Sequence, residues 1–208
     1  MSDKPRPSSC ELSRELTEFY RARTSWNAPG EARMRFRKAT ALAAVPAGAH
    51  VLDLGARDRG LLRFLPEAVH YRGIEIDPEY ARPDVLAHDI SQGIPFASGS
   101  FDFVFCLELL EHVPDPFGTL SEIHRVLKPG GVLMLSVPNP YHFKEIIWNL
   151  FRIADRQGHM YTWTRQTMTR LGEMSGFRLE RSGGTYLHPP IPMFGLLARS
   201  IVYRFVKA

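Results

Sequence analysis

The ten residues from 51 to 60, Val-Leu-Asp-Leu-Gly-Ala-Arg-Asp-Arg-Gly, constrain the fold more than any other part of the sequence. Apolar Val51, Leu52 and Leu54 follow a turn-forming Pro-Ala-Gly and predict a buried strand that runs into a glycine-bearing turn. Glycine at the end of a parallel strand lets the backbone approach a ligand closely, and a following helix offers free N–H groups there. The stretch predicts a ligand-binding turn, with the alternative that Gly55 serves only the turn geometry.

Further strands alternate with helices and turns after this point. Strands are predicted over residues 70–76, 85–87, 101–107 and 132–137, and helical segments over residues 61–65 and 120–127. The apolar run from Phe101 to Leu107 is typical of a strand buried on both faces of a parallel sheet. The alternation predicts an α/β, Rossmann-like doubly wound sheet with helices on both faces, in which ligands bind at the carboxyl ends of the strands.

Two acidic residues lie at such strand ends. Glu75 follows the first turn by about twenty residues, the interval at which dinucleotide-binding folds place an acid that binds ribose hydroxyls. Asp89 ends the third strand, where it could accept a hydrogen bond from an exocyclic amine such as that of adenine, while Ile90 offers its backbone N–H and an apolar face. The alternatives are a solvated surface acid for Glu75 and a turn residue for Asp89.

Length and composition indicate one globular domain, since 208 residues that are 44% hydrophobic can bury a sizeable core. Apolar residues at helical spacing predict helices over residues 9–23 and 31–45. We expect the N-terminal helices, within residues 1–45, to cover the sheet or the ligand site. Residues 46–208 would form the main domain, and residues 139–160 an insertion on the acceptor side.

Charge and cysteine content restrict the partners and the compartment. The formal net charge of +4, without a long basic block, permits an anionic partner and does not imply nucleic acid. Cys10 and Cys106 are too few for a disulfide framework, and no signal-peptide pattern occurs, so a cytoplasmic location is expected. No apolar run is long enough for a membrane-spanning helix.

Seven segments occur in an order and spacing that resemble the class I S-adenosylmethionine-dependent methyltransferases, of the methyltransferase type 11/23-like kind. They are Val51-Leu-Asp-Leu-Gly55, Gly73-Ile-Glu-Ile76, Asp89-Ile90, Phe101-Asp-Phe-Val104, Glu111-His-Val-Pro-Asp115, Arg125-Val-Leu-Lys-Pro-Gly-Gly131 and Gly176-Phe177. The resemblance covers roughly residues 49–180. It implies a seven-stranded sheet with an antiparallel last strand, and S-adenosyl-L-methionine as the cofactor.

The resemblance also implies the cofactor-binding residues, with ribose on Glu75 and adenine near Asp89 and Ile90. The full expected set is Asp53, Gly55, Ala56, Arg57, Gly60, Glu75, Ile76, Asp89, Ile90 and Leu107. One departure is that Arg57 and Arg59 stand where the family usually carries glycines. Their side chains could crowd the methionine part of the cofactor, or Arg57 could turn outward. A non-catalytic assembly partner that has lost the cofactor is therefore one alternative.

A metal site is suggested by Glu108-Leu-Leu-Glu111-His112. If a helical turn begins at Glu108, then Glu111 and His112 share its face at i+3 and i+4. Two carboxylates and an imidazole can bind a divalent cation, and their oxygen-rich character favours Mg²⁺ or Mn²⁺ over zinc. His159 is the candidate for a fourth ligand, because its loop should return to the site just before the next helix.

This E-x-x-E-H segment with a later His, an aromatic residue and Trp-Thr resembles two groups of metal-dependent enzymes, the ubiquinone-biosynthesis O-methyltransferases and the small-RNA 2′-O-methyltransferases. The resemblance implies metal ligation by Glu108, Glu111, His112 and His159, with a substrate diol on the metal. The alternative is a metal-independent site, in which the acids contact the cofactor region or cap a helix. His112 and His159 are the catalytic candidates, as ligand or base, although His112 could be a packed residue and His159 a plain loop residue.

The insertion carries an apolar stripe at helical spacing, which favours a place in the core over contact with substrate. The stripe consists of Phe143, Ile146, Ile147, Leu150 and Phe151. A further hypothesis is that residues 146–151 and the apolar residues 191–197 touch a membrane surface peripherally.

The sequence thus predicts a methyltransferase that acts on a hydroxyl of a small or lipid-linked phenol, catechol or sugar, with a divalent metal as an open possibility. Metal-independent transfer to nitrogen or carbon is the same-class alternative. An RNA 2′-O-methyltransferase is disfavoured because no basic stripe or aromatic stacking platform occurs. A nicotinamide dehydrogenase is disfavoured because the first turn lacks G-x-G-x-x-G.

Overall fold

A computed structural model describes Glu15, Glu18, Phe19 and residues 29–153, 158–185 and 198–208. The helices in these ranges are α1 (Pro29–Ala43), α2 (Pro116–Val126), α3 (Phe143–Leu150) and α4 (Arg165–Met174). The strands are β1 (His50–Leu54), β2 (His70–Glu75), β3 (Val85–Ala87), β4 (Phe101–Leu107), β5 (Leu127–Pro138), β6 (Phe177–Gly184) and β7 (Ser200–Lys207). Four short 3₁₀ helices follow strands, at Gly60–Phe64, Pro78–Tyr80, Ile90–Gln92 and Leu110–His112.

The strands form one seven-stranded sheet in the order β3-β2-β1-β4-β5-β7-β6. Strands β1 to β5 are parallel, and β7 lies antiparallel between β5 and β6. The predicted doubly wound sheet with an antiparallel last strand is therefore confirmed. Parallel pairing brings the carboxyl ends of β1, β2, β3 and β4 to one edge, where a ligand of such a sheet binds.

The core lies on both faces of the sheet, as the sequence of β4 predicts. Its fully buried Val104 and Cys106 belong to the apolar cluster on one face, while Phe103 and Phe105 belong to the cluster on the other. Successive side chains of a strand point to opposite faces. One strand can therefore supply both layers only if nearly every residue is apolar, which explains the unbroken run.

Two predicted boundaries near α2 are wrong. The helix begins at Pro116 rather than at residue 120, because Asp115 caps it by accepting a 2.9 Å hydrogen bond from the Gly118 N–H, and proline suits the first helical position. The fifth strand begins at Leu127 rather than at residue 132. Leu127 already pairs with Phe101, and the register shifts before Phe103, so the Lys-Pro-Gly-Gly segment lies within an irregular start of the strand.

Helix α1 agrees with the helix predicted over residues 31–45 and packs on the sheet. Its buried Ala39 and Ala43 join the cluster that contains Leu61 of the first 3₁₀ helix and Val202 of β7. The helix predicted over residues 9–23 lies mostly outside the described residues, although Glu15, Glu18 and Phe19 are helical. Within the described ranges, no helix is both long and apolar enough to cross a membrane.

Candidate active site

The turn after β1 is held against β2 by its backbone. The N–H groups of Gly55 and Ala56 both donate to the carbonyl oxygen of Ile74, at 2.9 and 3.0 Å. Gly55 has φ 76°, which glycine adopts without strain. A Cβ on Gly73 would lie 2.7 Å from the Cβ of Ala56, so this glycine is needed for the close approach of the turn to β2. The turn is thus a fixed cradle at the carboxyl ends of the strands.

Glu75 lies at the end of β2 and accepts hydrogen bonds from the same turn. Its Oε2 accepts from the Arg57 N–H at 3.1 Å, and its Oε1 accepts from the N–H groups of Ile76 and Asp77 at 2.9 and 3.3 Å. Burial raises the pKa of Glu75, and these N–H groups oppose the rise by stabilising the carboxylate. A buried carboxylate fixed in this way is suited to accept hydrogen bonds from a vicinal diol, as the ribose role requires.

The two arginines of the turn contact the segment between β2 and β3. The guanidinium of Arg57 lies over the ring of Tyr80, with its Cζ 5.6 Å from the ring centroid. The Nη1 of Arg59 donates to both carboxylate oxygens of Asp84, at 3.0 and 3.2 Å. Both side chains thus have partners in that neighbouring segment. Tyr80 lies in the 3₁₀ helix after β2, at the edge of the sheet where the cofactor is expected, so an uncrowded path for the methionine part of the cofactor stays a prediction.

Three other expected cofactor residues have partners within the protein. Buried Asp53 accepts a 2.8 Å hydrogen bond from the Tyr71 hydroxyl, and burial raises the pKa of its carboxyl to about 7. Gly60 faces α1, since a Cβ there would lie 2.8 Å from a ring carbon of Phe36. Leu107, the last residue of β4, is half-buried. Gly60 is therefore explained by packing against the helix, and the carboxylate of Asp53 is held by its hydrogen bond with Tyr71 of β2.

Asp89 lies where the sequence predicts, at the end of the segment after β3. It caps the 3₁₀ helix Ile90–Gln92, and its two carboxylate oxygens accept from the backbone N–H and the hydroxyl of Ser91, at 2.9 and 2.7 Å. Ile90 is half-buried and packs against the core. The turn role of Asp89 is thus present in the structure, and its contact with adenine stays a prediction.

A second group of polar side chains lies just beyond the end of β4. One potential ligand atom from each of Glu111, His112 and His159 lies within 4.8 Å of the other two. Glu111 is 1% exposed, and neither of its carboxylate oxygens has a hydrogen bond to another residue in the described ranges. Burial, followed by the nearby charge of Glu108, raises the pKa of Glu111 well above its usual range. A buried carboxylate without a hydrogen bond is costly, and a bound cation or a proton would relieve that cost.

The loop that carries His159 is fixed to this group through the backbone. The Met160 N–H donates to the Glu111 carbonyl at 2.9 Å, and the Tyr161 hydroxyl donates to the Pro114 carbonyl at 2.9 Å. The rings of His112 and His159 lie 5.0 Å apart between centroids. The expected return of this loop to the site is therefore present in the structure.

The hydrogen bonding of His112 defines its tautomer. Its Nδ1 lies 3.3 Å from the carbonyl oxygen of Gly158, which can only accept, so Nδ1 carries the proton. Its Nε2 lies 3.8 Å from Oε1 of Glu111. Histidines that bind metals commonly donate their other N–H to a backbone carbonyl in this way.

Glu108 does not share a helical face with Glu111 and His112, so that prediction is wrong. Its φ is 54°, in the left-handed region, and the 3₁₀ helix begins only at Leu110. Its carboxylate turns to other partners, accepting from the Ser136 hydroxyl at 2.9 Å and pairing with Arg35 at 3.2 Å. The structure thus brings together three of the four expected ligands, and Glu108 lies outside that group.

Arg35 is a site residue that the sequence reasoning missed. It lies on α1, is buried, and its Nε has no hydrogen-bond partner within the described residues. Helix α1 also carries Arg33 and Arg37, both exposed, so the arginine content alone gave no reason to select one of them. The available signal was periodicity, because Arg35 and the buried Ala39 are four residues apart and share a helix face.

The arrangement suits a nucleoside cofactor next to a polar reaction centre. The glycine-bearing turn allows close backbone approach, and the Glu75 carboxylate is suited to a diol, both of which S-adenosylmethionine requires. The Glu111, His112 and His159 group lies at the neighbouring strand end, where the acceptor of a transferred methyl would lie. The described residues therefore fit the cofactor that the sequence predicts.

Comparisons with known proteins agree with this geometry. Residues 27–182 match a family model described as a methyltransferase domain. A ubiquinone biosynthesis O-methyltransferase of Xanthomonas axonopodis pv. citri is 30% identical in an alignment of 164 residues, with coverage of 65% of this chain and 68% of that protein. A 2-methyl-6-phytyl-1,4-hydroquinone methyltransferase of Synechocystis is 32% identical in an alignment of 139 residues, with coverage of 61% of this chain and 40% of that protein.

Among solved structures, the fold is similar to a 1,6-didemethyltoxoflavin N1-methyltransferase of Burkholderia thailandensis that contains S-adenosylhomocysteine. The TM-score is 0.69 at 21% identity, over 100% of this chain and 93% of that chain. The family match spans both the cofactor turn and the Glu111 segment. This chain belongs to the class I S-adenosylmethionine-dependent methyltransferases.

Proposed function

We propose that this methyltransferase transfers the methyl group to a hydroxyl oxygen of a phenol, a catechol or a sugar diol, on a small or lipid-linked acceptor. The observation that carries the proposal is the group formed by buried Glu111, His112 and His159. Transfer breaks the S–CH₃ bond of the sulfonium and forms an O–CH₃ bond, and the hydroxyl proton must leave. A site for oxygen methylation therefore needs a group that removes or displaces this proton.

A divalent cation fits this group in its chemistry. Glu111 offers two carboxylate oxygens that have no hydrogen bond within the described residues, and Nε2 of His112 lies 3.8 Å from one of them. Carboxylate and imidazole ligands suit Mg²⁺ or Mn²⁺ as well as other divalent metals. A cation bound there would lower the pKa of a coordinated hydroxyl and help to orient it. Glu111, His112 and His159 would hold the cation, while Glu108 would act through its charge.

The same residues can act on the acceptor directly. Nε2 of the neutral His112 ring can accept a proton from a hydroxyl placed within hydrogen-bond reach, which is the work of a general base. The Gly158 carbonyl holds the ring in the tautomer that this requires. Alignment supplies most of the remaining rate enhancement, because methyl transfer from a sulfonium needs in-line positioning rather than a covalent intermediate.

Arg35 is the candidate to bind the methionine part of the cofactor. Its guanidinium is buried next to the site, and one N–H has no partner within the described residues. The cofactor's α-carboxylate would satisfy that N–H in a charge-assisted hydrogen bond. Glu108 would then hold the guanidinium in place from the other side.

Two observations support a lipid-linked acceptor. One relative is named for a phytyl-bearing hydroquinone, which is a phenol with a lipid chain. In addition, the apolar stripe on α3 is exposed, and no residue of that helix is buried. The prediction that this stripe packs in the core is therefore wrong. Leu150 and Phe151 are 74% and 71% exposed, so this surface is available to a lipid tail or a membrane surface.

The test is a methyl-transfer assay with the full chain, following S-adenosylhomocysteine release on catechol, phenol and a prenylated phenol, with Mg²⁺, with Mn²⁺ and with chelator. Glu111→Gln and His159→Gln are expected to lower kcat at least about a hundredfold, the scale of a lost acid–base or ligand group. His70→Gln, at the opposite ends of the strands, is the matched control and should retain activity. Methylation of amines alone, with these variants unaffected, would refute the proposal.

A further inference from the structure

The turn that receives the cofactor has an unusual backbone. Gly55, Arg57 and Arg59 all have positive φ, at 76°, 42° and 61°. A residue with a Cβ in this left-handed region loses about 1–2 kcal/mol relative to the usual conformations. Two arginines therefore keep this shape only because other contacts fix it.

Arg59 has such a contact with the neighbouring loop. Its Nη1 donates to both oxygens of Asp84, the residue directly before β3, at 3.0 and 3.2 Å. Its backbone N–H donates to the Ala56 carbonyl at 2.8 Å. The side chain thus joins the turn after β1 to the loop that enters β3.

Arg57 connects this outer contact to the site itself. Its side chain reaches the 3₁₀ helix after β2, where Nη2 donates to the Tyr80 hydroxyl at 3.4 Å. Its backbone N–H points inward and donates to Oε2 of Glu75 at 3.1 Å. The same residue therefore couples the position of the turn to Glu75, the carboxylate expected to bind the ribose.

We propose that Arg57 and Arg59 form a turn tether, defined as the Arg59–Asp84 ion pair together with the Arg57–Tyr80 contact. The tether positions the Arg57 N–H against Glu75 and thereby sets the affinity for the cofactor. It replaces the conformational freedom of glycine by fixed side-chain contacts. The tether residues are positioning residues, because they act on the cofactor only through Glu75 and the turn backbone.

A dependence of cofactor affinity on salt follows from this arrangement. The side chains of Arg59 and Asp84 are 41% and 26% exposed, so salt screens their attraction. The hydrogen bonds from the backbone N–H groups of Gly55 and Ala56 to the Ile74 carbonyl do not involve side-chain charges. Loss of the tether should therefore change cofactor binding more than it changes the stability of the fold.

The experiment is calorimetric titration of the full chain with S-adenosylhomocysteine at about 0.05 M and about 0.5 M NaCl, where the Debye length differs by about threefold. Arg59→Gln and Asp84→Asn are expected to raise Kd about threefold at low salt, the scale of an exposed ion pair. The double variant should be no weaker than either single variant. At high salt, the wild type and the variants should converge.

The matched control is Lys128→Gln, which removes an ion pair of similar exposure between Lys128 and Asp102. Asp102 is next to the start of β4, at the opposite end of the strands, so this variant should bind as the wild type does. Arg59→Gly removes the ion pair with Asp84 and also the backbone strain at position 59. If strain relief decided the affinity, this variant would bind at least as tightly as the wild type, whereas loss of the tether should make it bind more weakly. Weaker binding by Arg59→Gly supports the tether. Wild-type affinity in Arg59→Gly, or an equal salt dependence in Asp84→Asn and the wild type, would overturn it.

Discussion

Replacement of Arg35 by glutamine tests how the site tolerates its buried charges. The Nη1 of Arg35 lies 3.2 Å from Glu108, and the two side chains are only 10% and 18% exposed. Removing one partner of a buried ion pair costs about 3–5 kcal/mol, because the other charge stays buried and alone. We take the lower value, about 3 kcal/mol, since the pair retains some exposure. Arg35 also lowers the pKa of nearby Glu111, so its loss removes the positive charge that stabilises a second buried carboxylate.

The assay is thermal and urea unfolding of Arg35→Gln, Glu108→Gln and the double variant. For a domain of this size, about 3 kcal/mol lowers Tm by about 6–12 °C. The double variant should be more stable than Arg35→Gln, because no unpaired buried carboxylate remains at position 108. Arg33→Gln, an exposed arginine on the same helix, is the control and should leave Tm unchanged. Additive losses in the double variant would refute the idea that the two charges compensate each other.

Three further predictions concern titration and the exposed helix. Burial raises the pKa of Asp53 to about 7, so the unfolded chain loses this proton at a lower pH than the folded protein does. The free energy of unfolding should therefore fall by up to about 4 kcal/mol as the pH rises from about 4 to about 8. Asp53→Asn should abolish this fall in urea unfolding measured across that range. The hydrogen bond from Arg125 lowers the pKa of the half-buried Glu122 to about 2. Glu122→Gln should therefore lower the free energy of unfolding by up to about 1 kcal/mol at pH 7 and leave it almost unchanged near pH 2, which urea unfolding at the two pH values will show. Leu150→Glu should weaken co-sedimentation with phospholipid vesicles about tenfold, because it places a charge on the apolar face of α3. Met174→Glu changes an exposed methionine of α4 and should bind vesicles as the wild type does. Equal binding by both variants would exclude α3 as the contact.

The parts of the fold that follow from local pattern were predictable. The apolar runs of β1 and β4 and the turn residues between strands predict the parallel sheet, because a strand buried on both faces leaves little choice of residue. The start of α2 was also accessible, since Asp115 followed by proline is a typical helix start. The exposure of α3 was not accessible, because periodicity shows that a helix has an apolar face and does not show what covers that face.

The site was predictable only where chain neighbours define it. Glu75 and the Gly55 turn follow from spacing along the chain. The position of the Glu108 carboxylate does not follow from spacing. Its backbone is left-handed, and its carboxylate contacts Ser136 and Arg35, which are distant in sequence. A prediction that assumed a continuous helix from Glu108 therefore placed the carboxylate on the wrong side. Long-range pairs of this kind carry no local sequence pattern.

The position of β7 has a consequence for synthesis of the protein. Strand β5 ends at Pro138, but its antiparallel neighbour β7 begins at Ser200, about 60 residues later. At about 5–20 residues per second, the ribosome needs several seconds to make that stretch. During this time, β1 to β5 can pair while one edge of β5, apolar and unpaired, stays open to other chains. The nascent methyltransferase should therefore depend on chaperones until residues 200–207 have emerged and closed that edge.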